Sequence, residues 1–590
     1  KKALANYIHA LKNGNKRKDA LVKGFPFKES DIIDALNPKD PNKDSNQRQV
    51  PVVVDDDAVK ALTEKSSKPI LSVNFRIVAS APSLYQAQEI LNGIASNFTQ
   101  FSSPSRNELT ATVPKNIQKF IFEASFREFN DSQEMILNTE ELASLFHFPT
   151  FTTAIPKIAW LKSKEAAPPT NLPTSGTCIG NSSFRGEQHP VYITNEDRRR
   201  HVYIVGQTGT GKSTLMTNMA LNDIRNGNGV SVIDPHGDLI DGILARVPQS
   251  RVDDVIVFDP SDYHRPMGLN MLEYNQSRPE EKTFIVNEMQ SIFNRLFSQE
   301  TMGPMFEQYM RNSLLLLMED AQNEPATLME VPRVFTDTAY RERKLARITN
   351  PTVIDFWTKE ASKVSGEASL ANMTPYITSK FGNFMSNDYM RPIIGQTKSA
   401  FNFRQLMDDG KIFLVNLAKG RLGDINANLL GMIITGKILM AALSRVDMPE
   451  DKRRDFYLYI DEFQNFTTDS IATILSEARK YRLSLTMAHQ FIAQLTDTIR
   501  EAVLGNAGSV IAFRVGVEDT EVLKKKFEPI FTETDLSNID NFNAYVNLLI
   551  NGQTSVPFNI KILPKEQGND EFGQKIKELS REKYGRDRKE

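Results

Sequence analysis

Seven short apolar runs mark the chain beyond residue 200: VYIV (202–205), VSVI (230–233), VIVF (255–258), KIFLVNL (411–417), FYLYI (456–460), SLTMA (484–488) and SVIAF (509–513). They lack the in–out alternation of a strand with one wet face, so each reads as a strand buried on both sides. Helical stretches separate most of them, which predicts an α/β domain built on a parallel sheet covered on both faces. Between the third and fourth runs, residues 278–400 hold helical patterns such as PMFEQYMRNSLLLLME (304–319) and no strand signal. An inserted all-helical subdomain is expected there, dividing the α/β domain into 179–277 and 401–563.

The upstream third reads differently. Residues 1–66 are polar, with NPKDPNKDSNQ (37–47) as a flexible loop. Over 67–165, LSVNFRIVA (71–79) reads as a strand, SLYQAQEILNGIASNF (83–98) as an amphipathic helix and NELTATV (107–113) as a second strand. That is a β-α-β unit of a small α+β accessory domain. AAPPTNLPTSG opens a linker over 166–178, and 564–590 is a charged tail, either a helix or a disordered end.

Composition excludes more than it selects. An apolar fraction of 40% and a charged fraction of 24% argue against wholesale disorder and against a membrane bundle. The single cysteine, Cys178, excludes an internal disulfide and a thiolate metal cage, and fits a reducing, cytoplasmic compartment. The longest apolar run, Leu429 to Leu443, is interrupted by Lys437 and falls short of the roughly 20 residues that cross a bilayer. The chain begins with Lys1 rather than Met, so an upstream anchor stays open. A net charge of −2 provides no global field for nucleic acid, so DNA contact would come from local patches. The candidates are Arg198 to Arg200, Arg341 to Arg347 and Lys524 to Lys526, each of which reads first as an ordinary solvated face.

Chemistry concentrates at the ends of the apolar runs. Gly206, Gln207, Thr208, Gly209, Thr210, Gly211, Lys212 and Ser213, with Thr214 after them, follow the first run and open the helical stretch TLMTNMALNDIR. This is a P-loop: glycines turn backbone N–H groups inward around phosphates, Lys212 reaches the β- and γ-phosphates, and the Ser213 hydroxyl ligates Mg²⁺. Asp461 ends the fifth run, where a carboxylate holds Mg²⁺, usually through water, and Glu462 is the candidate that polarises the attacking water. A helix over 469–480 carries Arg479 roughly 18 Å from its own phosphates at 1.5 Å per residue. The next strand returns roughly 20 Å at about 3.3 Å per residue and brings Gln490 beside Glu462, in reach of the γ-phosphate. In a head-to-tail ring Arg479 would face a neighbour's nucleotide; taken alone, it reads first as a helix C-terminal cation. DPHGD (234–238) reads equally as a catalytic-edge cluster or as a turn with capping aspartates. His236 and His489 lack metal-ligand spacing, which leaves Mg²⁺ as the implied metal.

With these residues in place, the chain resembles the HerA/FtsK superfamily of RecA-like P-loop ATPases, in the branch of conjugative coupling proteins and type IV secretion ATPases. The resemblance covers about 177–560 and rests on IGNSSFRGEQHPVYITNEDRRRHVYIVGQTGTGKST, VIDPHGD, GLNML, FNFRQLMDDGKIFLVNL, YIDEFQNF and SEARKYRLSLTMAHQ. It implies ATP as the nucleotide, a trans-acting finger at Arg479 and a sensor at Gln490. It also implies a homo-oligomeric, hexameric ring that moves DNA at the cytoplasmic face of the inner membrane, with relaxase or secretion-channel proteins as partners. Membrane association would come through such partners or a missing upstream segment. LNTEELASLFHFP (137–149) resembles the accessory region of the secretion ATPases and departs from the β-barrel of HerA proper. The alternatives are a HerA-type cytosolic DNA translocase for repair or chromosome processing and, from another class, a nucleotide-gated scaffold.

Overall fold

The computed structural model describes residues 2–13, 56–103, 108–147, 163–297, 302–362, 370–468 and 470–588, and its contacts divide the chain into Lys1–Trp160 and Leu161–Glu590. The loop expected at 37–47 lies outside the described residues.

In the first unit the polar N-terminal stretch is helical where described, over Lys2–Lys12 and Asp56–Ser67; Ala10 and Leu11 pack against Val59 and Leu62. Strand β1 (Ile70–Val73) pairs antiparallel with β2 (Met135–Asn138). The expected strand at 71–79 thus stops early, and residues 108–113 form no strand. Beyond Val73 the chain is held by side chains: Asn74 Oδ1 accepts from Asn130 N–H at 2.6 Å, and Arg76 donates to the carbonyls of Glu123 and Glu128. Residues 108–113 alternate in sequence but have no ladder partner among the described residues, and Val113 is 84% exposed. The expected helix spans Leu84–Asn97, capped by Ser83, and Asn138 with Glu141 closes a capping box at the start of Thr139–Leu145.

The second unit begins at Leu161, before the expected 166–178 linker. Its first described residues are tied to the sheet rather than free: Lys164 N–H donates to Tyr545 Oη at 2.9 Å and Ala166 N–H to Asn559 Oδ1 at 2.7 Å. The remaining strands are β3 (Thr177–Phe184), β4 (Glu187–Ile193), β5 (Val202–Val205), β6 (Gly229–Asp234), β7 (Val255–Phe258), β8 (Ile412–Asn416), β9 (Phe456–Ile460), β10 (Leu483–His489), β11 (Ser509–Ala512), β12 (Asn543–Asn547), β13 (Leu549–Ile550), β14 (Gln553–Thr554) and β15 (Phe558–Lys561). Eleven of them form one sheet in the order β4-β3-β15-β12-β11-β5-β10-β9-β6-β8-β7. The seven apolar runs are its contiguous parallel part, β11 to β7, with helices packed on it. Antiparallel β12, β15, β3 and β4 extend it. β3 and β4 are partly exposed, and β12 and β15, though mostly buried, are interrupted by Asn543, Asn547, Asn559 and Lys561, so all four lack the continuous apolar signal of the parallel strands. Gly180 shows how closely they pack: a Cβ there would lie 2.5 Å from the Lys561 carbonyl oxygen.

Between β7 and β8 the described elements are helical, chiefly Glu280–Leu296, Pro304–Glu319 and Leu370–Met385. The run around Leu429 belongs to the helix Asp424–Leu443, which with its 3₁₀ extension to Asp447 is long and apolar enough to span a bilayer, yet 78% of its apolar window is buried in the protein core. Lys437 on that helix donates to the Glu273 carbonyl, and burial pulls its ammonium down to about 8. In the charged tail, Asp570–Tyr584 is a helix packed on β7.

Candidate active site

The P-loop leaves β5 and is anchored on both sides. Gly206 N–H donates to the His489 carbonyl at the end of β10, and Gln207 N–H to the Arg514 carbonyl just past β11, at 3.3 and 2.8 Å. Gly209 and Gly211 have left-handed φ of +76° and +125°, and a Cβ on Gly211 would lie 2.8 Å from Ile562 Cδ1. Thr210 Oγ1 donates to the Gln207 carbonyl, while the Thr210 carbonyl accepts from Phe542 N–H. The antiparallel strands therefore help to shape the loop. Helix Lys212–Arg225 starts directly behind it, with Thr208 and Ser213 exposed at its mouth. Lys212 is buried, and its ammonium donates to the Gly206 and Gln207 carbonyls at 2.5 and 3.1 Å. Burial lowers its proton affinity; the neighbouring Asp461 and Glu462 oppose that.

The acids stand at the same edge of the sheet. Asp461 follows β9, and burial, reinforced by Asp234 and Glu462, pushes its carboxyl up to about 6. Asp234 ends β6 and accepts from the N–H groups of His236, Gly237 and Leu239 at 2.8–2.9 Å. DPHGD is thus a turn closed by its first aspartate, which also adds charge beside Asp461. Glu462 adopts a left-handed backbone, φ +49°, a strained state for a non-glycine residue. Its Oε1 accepts from Gln490 Nε2 at 2.7 Å and its Oε2 from Gln464 Nε2 at 2.6 Å. Asp461 and Glu462 both act on Lys212, and Asp234 adds its charge to Asp461, so acids outnumber the one lysine at this edge and favour a divalent cation. The Ser213 hydroxyl and the Asp461 carboxyl are hard oxygen donors, few in number, which fits Mg²⁺ with nucleotide and water completing its shell.

Arg479 lies elsewhere. The helix Ser470–Glu477 passes into a 3₁₀ turn, Ala478–Tyr481, ahead of β10, and Gln490 follows the strand's far end. The side chain of Arg479 is 46% exposed and pairs with Glu196 at 3.1 Å. The structure thus brings Lys212, Asp461, Glu462 and Gln490 together and leaves Arg479 at the opposite edge.

A family model described as type IV secretory system conjugative DNA transfer matches residues 160–527. The chain belongs to this family. Residues 21–161 match a second model, described only as a domain of unknown function. No curated protein matches the chain. Among solved structures, the unbound conjugative coupling protein TrwB is 16% identical over 65% of this chain and 88% of its own, with a TM-score of 0.47. TrwB with ADP and Mg²⁺ is 16% identical over 64% and 89%, with a TM-score of 0.48. VirB4 of Thermoanaerobacter pseudethanolicus is 16% identical over 68% and 99%, with a TM-score of 0.47.

Within this conjugative-transfer domain the first two basic patches are largely tied up in internal contacts, whereas Lys524 to Lys526 lie at the surface. Arg198 is fully buried, bonded to Asp223, Thr177 and Tyr459 and stacked 4.0 Å from the centre of the Tyr457 ring. Arg199 grips Asp455 and Glu196. Arg343 and Arg347 pair with Glu324, Lys344 is buried on Asp320, and Lys524 pairs with Glu528 and Glu533. Sequence reading missed Gln464 and Arg514, whose Nε donates to Gln207 Oε1 at 3.3 Å. Arg514 had a positional signal, standing just past the strand beside β5. Gln464 had none.

Proposed function

We propose that this chain is the ATP-hydrolysing motor of a type IV secretory system, a homo-oligomeric, hexameric ring that drives DNA through conjugative transfer. It works at the cytoplasmic face of the inner membrane with relaxase or secretion-channel proteins. One observation carries the reading: Glu462, held by the Gln490 amide, stands beside the P-loop lysine while Arg479 is turned away at the far end of β10. Such a site has the acid, the cation and the amide in one chain and draws its arginine from the next.

Binding of ATP draws Lys212 from the Gly206 and Gln207 carbonyls to the β- and γ-phosphate oxygens. Ser213 and Asp461 would hold Mg²⁺, whose charge would offset that of the phosphates. Glu462 takes a proton from the attacking water as ADP and phosphate separate. Gln490 donates to Glu462 and carries the state of the γ-phosphate to β10. Arg479 of a neighbouring subunit stabilises the charge of the transition state, an effect of about 10³ to 10⁵ in rate.

ATPase activity measured with and without single- and double-stranded DNA tests the reading, and stimulation by DNA is expected. Lys212→Ala should abolish nucleotide binding, while Glu462→Gln should bind ATP and lose about 10² to 10⁴ in kcat. Equal loss of binding in both variants would make Glu462 a structural residue, and hydrolysis indifferent to DNA would point to a protein cargo.

A further inference from the structure

Glu462 is held by two amides, and only one of them follows from the site's known parts. The second comes from Gln464, two residues on, in the turn that leaves β9. That turn is fixed. Phe463 and Phe466 are buried, and the Phe466 ring packs so closely on Gly431 that a Cβ there would be 2.2 Å away. The Gln464 carbonyl accepts from Thr467 Oγ1 at 3.3 Å and from Arg295 Nη2 at 3.4 Å, and Thr468 Oγ1 donates to Glu288 Oε1 at 2.7 Å. Arg295 and Glu288 both belong to helix Glu280–Leu296, at the start of the helical insertion.

The Gln464 side chain is itself an anomaly. It is 8% exposed, and its Oε1 is buried with no hydrogen-bond partner among the described residues. Turning the amide over would set that oxygen against the Glu462 carboxylate, acceptor against acceptor, so the carboxylate dictates the orientation. Packing alone would favour an apolar side chain of the same length here, because a buried acceptor left unpaired opposes folding. The amide serves Glu462.

We infer that Gln464 is a positioning residue for Glu462: with Gln490 it fixes the plane of the carboxylate that receives the proton of the attacking water. A carboxylate has about four lone-pair sites. One amide on each oxygen leaves one site on each free for water and removes rotation about the carboxylate axis. The inference rests on the hydrolytic reading of Glu462 and gives a role to a residue of YIDEFQNF that the sequence reading left without one.

The test is steady-state ATPase of the full chain carrying Gln464→Met, which keeps the length and removes the N–H. KM for ATP within twofold of wild type, a melting temperature equal to or above that of wild type and a kcat at least tenfold lower are expected. A purely structural role would instead lower the melting temperature or raise KM. A folded Gln464→Met chain with kcat within twofold of wild type overturns the inference. Gln464→Glu keeps the size and sets a carboxylate against Glu462; it should lose at least as much kcat, and serves by the same criterion if the Met variant does not fold. The two readings fail separately. A wild-type chain without ATPase activity, or a Glu462→Gln chain as fast as wild type, removes the hydrolytic reading and this inference with it. A dead Glu462→Gln beside a fully active Gln464→Met removes this inference alone.

Discussion

His201, one residue ahead of β5, ties three elements together from a left-handed backbone, φ +65°. Leu485 N–H on β10 donates to Nδ1 at 3.1 Å, so the proton of the neutral ring sits on Nε2, which donates to the Leu475 carbonyl at 3.0 Å. Leu475 lies in the helix that leads to Arg479. Burial pulls the ring from 6.5 down to about 4. A histidine whose folded value is depressed holds fewer protons in the native state than in the unfolded chain. Its contribution is therefore complete above about 6.5 and is lost as pH falls towards about 4. Asp461, pushed up to about 6, acts in the opposite direction over an overlapping range. The difference between two chains isolates the histidine. His201→Gln retains one donor and one acceptor without a titrating proton. Urea unfolding should show wild type losing stability relative to this variant by up to about 1.4 kcal/mol per pH unit between pH 6.5 and 4. Parallel pH curves would mean that the ring charges freely in the folded protein.

At the scale of elements, the tail helix closes an edge that parallel sheets cannot leave bare. β7 is the last strand of the sheet, and Val257 N–H, pointing outward, donates to Ser580 Oγ at 2.8 Å. Ile576 is buried beneath the same helix, and Lys577 and Arg581 pair with Asp259 and Asp262 in the loop after β7. Ser580→Ala should cost roughly 1–3 kcal/mol, the range for a buried donor left unpaired, read as a lower unfolding midpoint. An unchanged midpoint would show that water already reaches the edge. The parallel strands were legible because burial on both faces leaves runs that are apolar at nearly every position, with no polar alternation. The antiparallel strands were not, because CIGNSSF and EQHPVYI keep polar residues on partly wet faces. NELTATV misled for a related reason: alternation records only what a strand would bury, and a ladder partner is a tertiary fact. In the site, Lys212, Asp461 and Glu462 stand at strand ends that sequence could locate, whereas Gln464 acquires its role from the turn of a strained backbone.

At the scale of the whole molecule, the question is which chain uses Arg479. Seven strand residues, Leu483–His489, separate its turn from Gln490, roughly 23 Å at about 3.3 Å per residue. No rotation of a side chain spans that distance, so a catalytic role for Arg479 is exercised on another subunit. Its present partner does not hold it firmly: the Glu196 pair is exposed on both sides, a class of ion pair worth about 0–1 kcal/mol. A neighbour's nucleotide, with its concentrated charge, would readily draw the guanidinium away. Arg479→Ala should therefore fold and bind ATP like wild type while losing hydrolysis. Mixing it with Glu462→Gln chains should restore part of the activity, because an interface formed by Glu462 of one chain and Arg479 of the other is intact. Mixed assemblies that exchange subunits and remain as inactive as either parent would mean that hydrolysis needs every interface intact or that the arginine does not act in trans. Full hydrolysis by Arg479→Ala alone would be more damaging, since the proposed ring would then lose the arginine finger from which its shared active sites are argued.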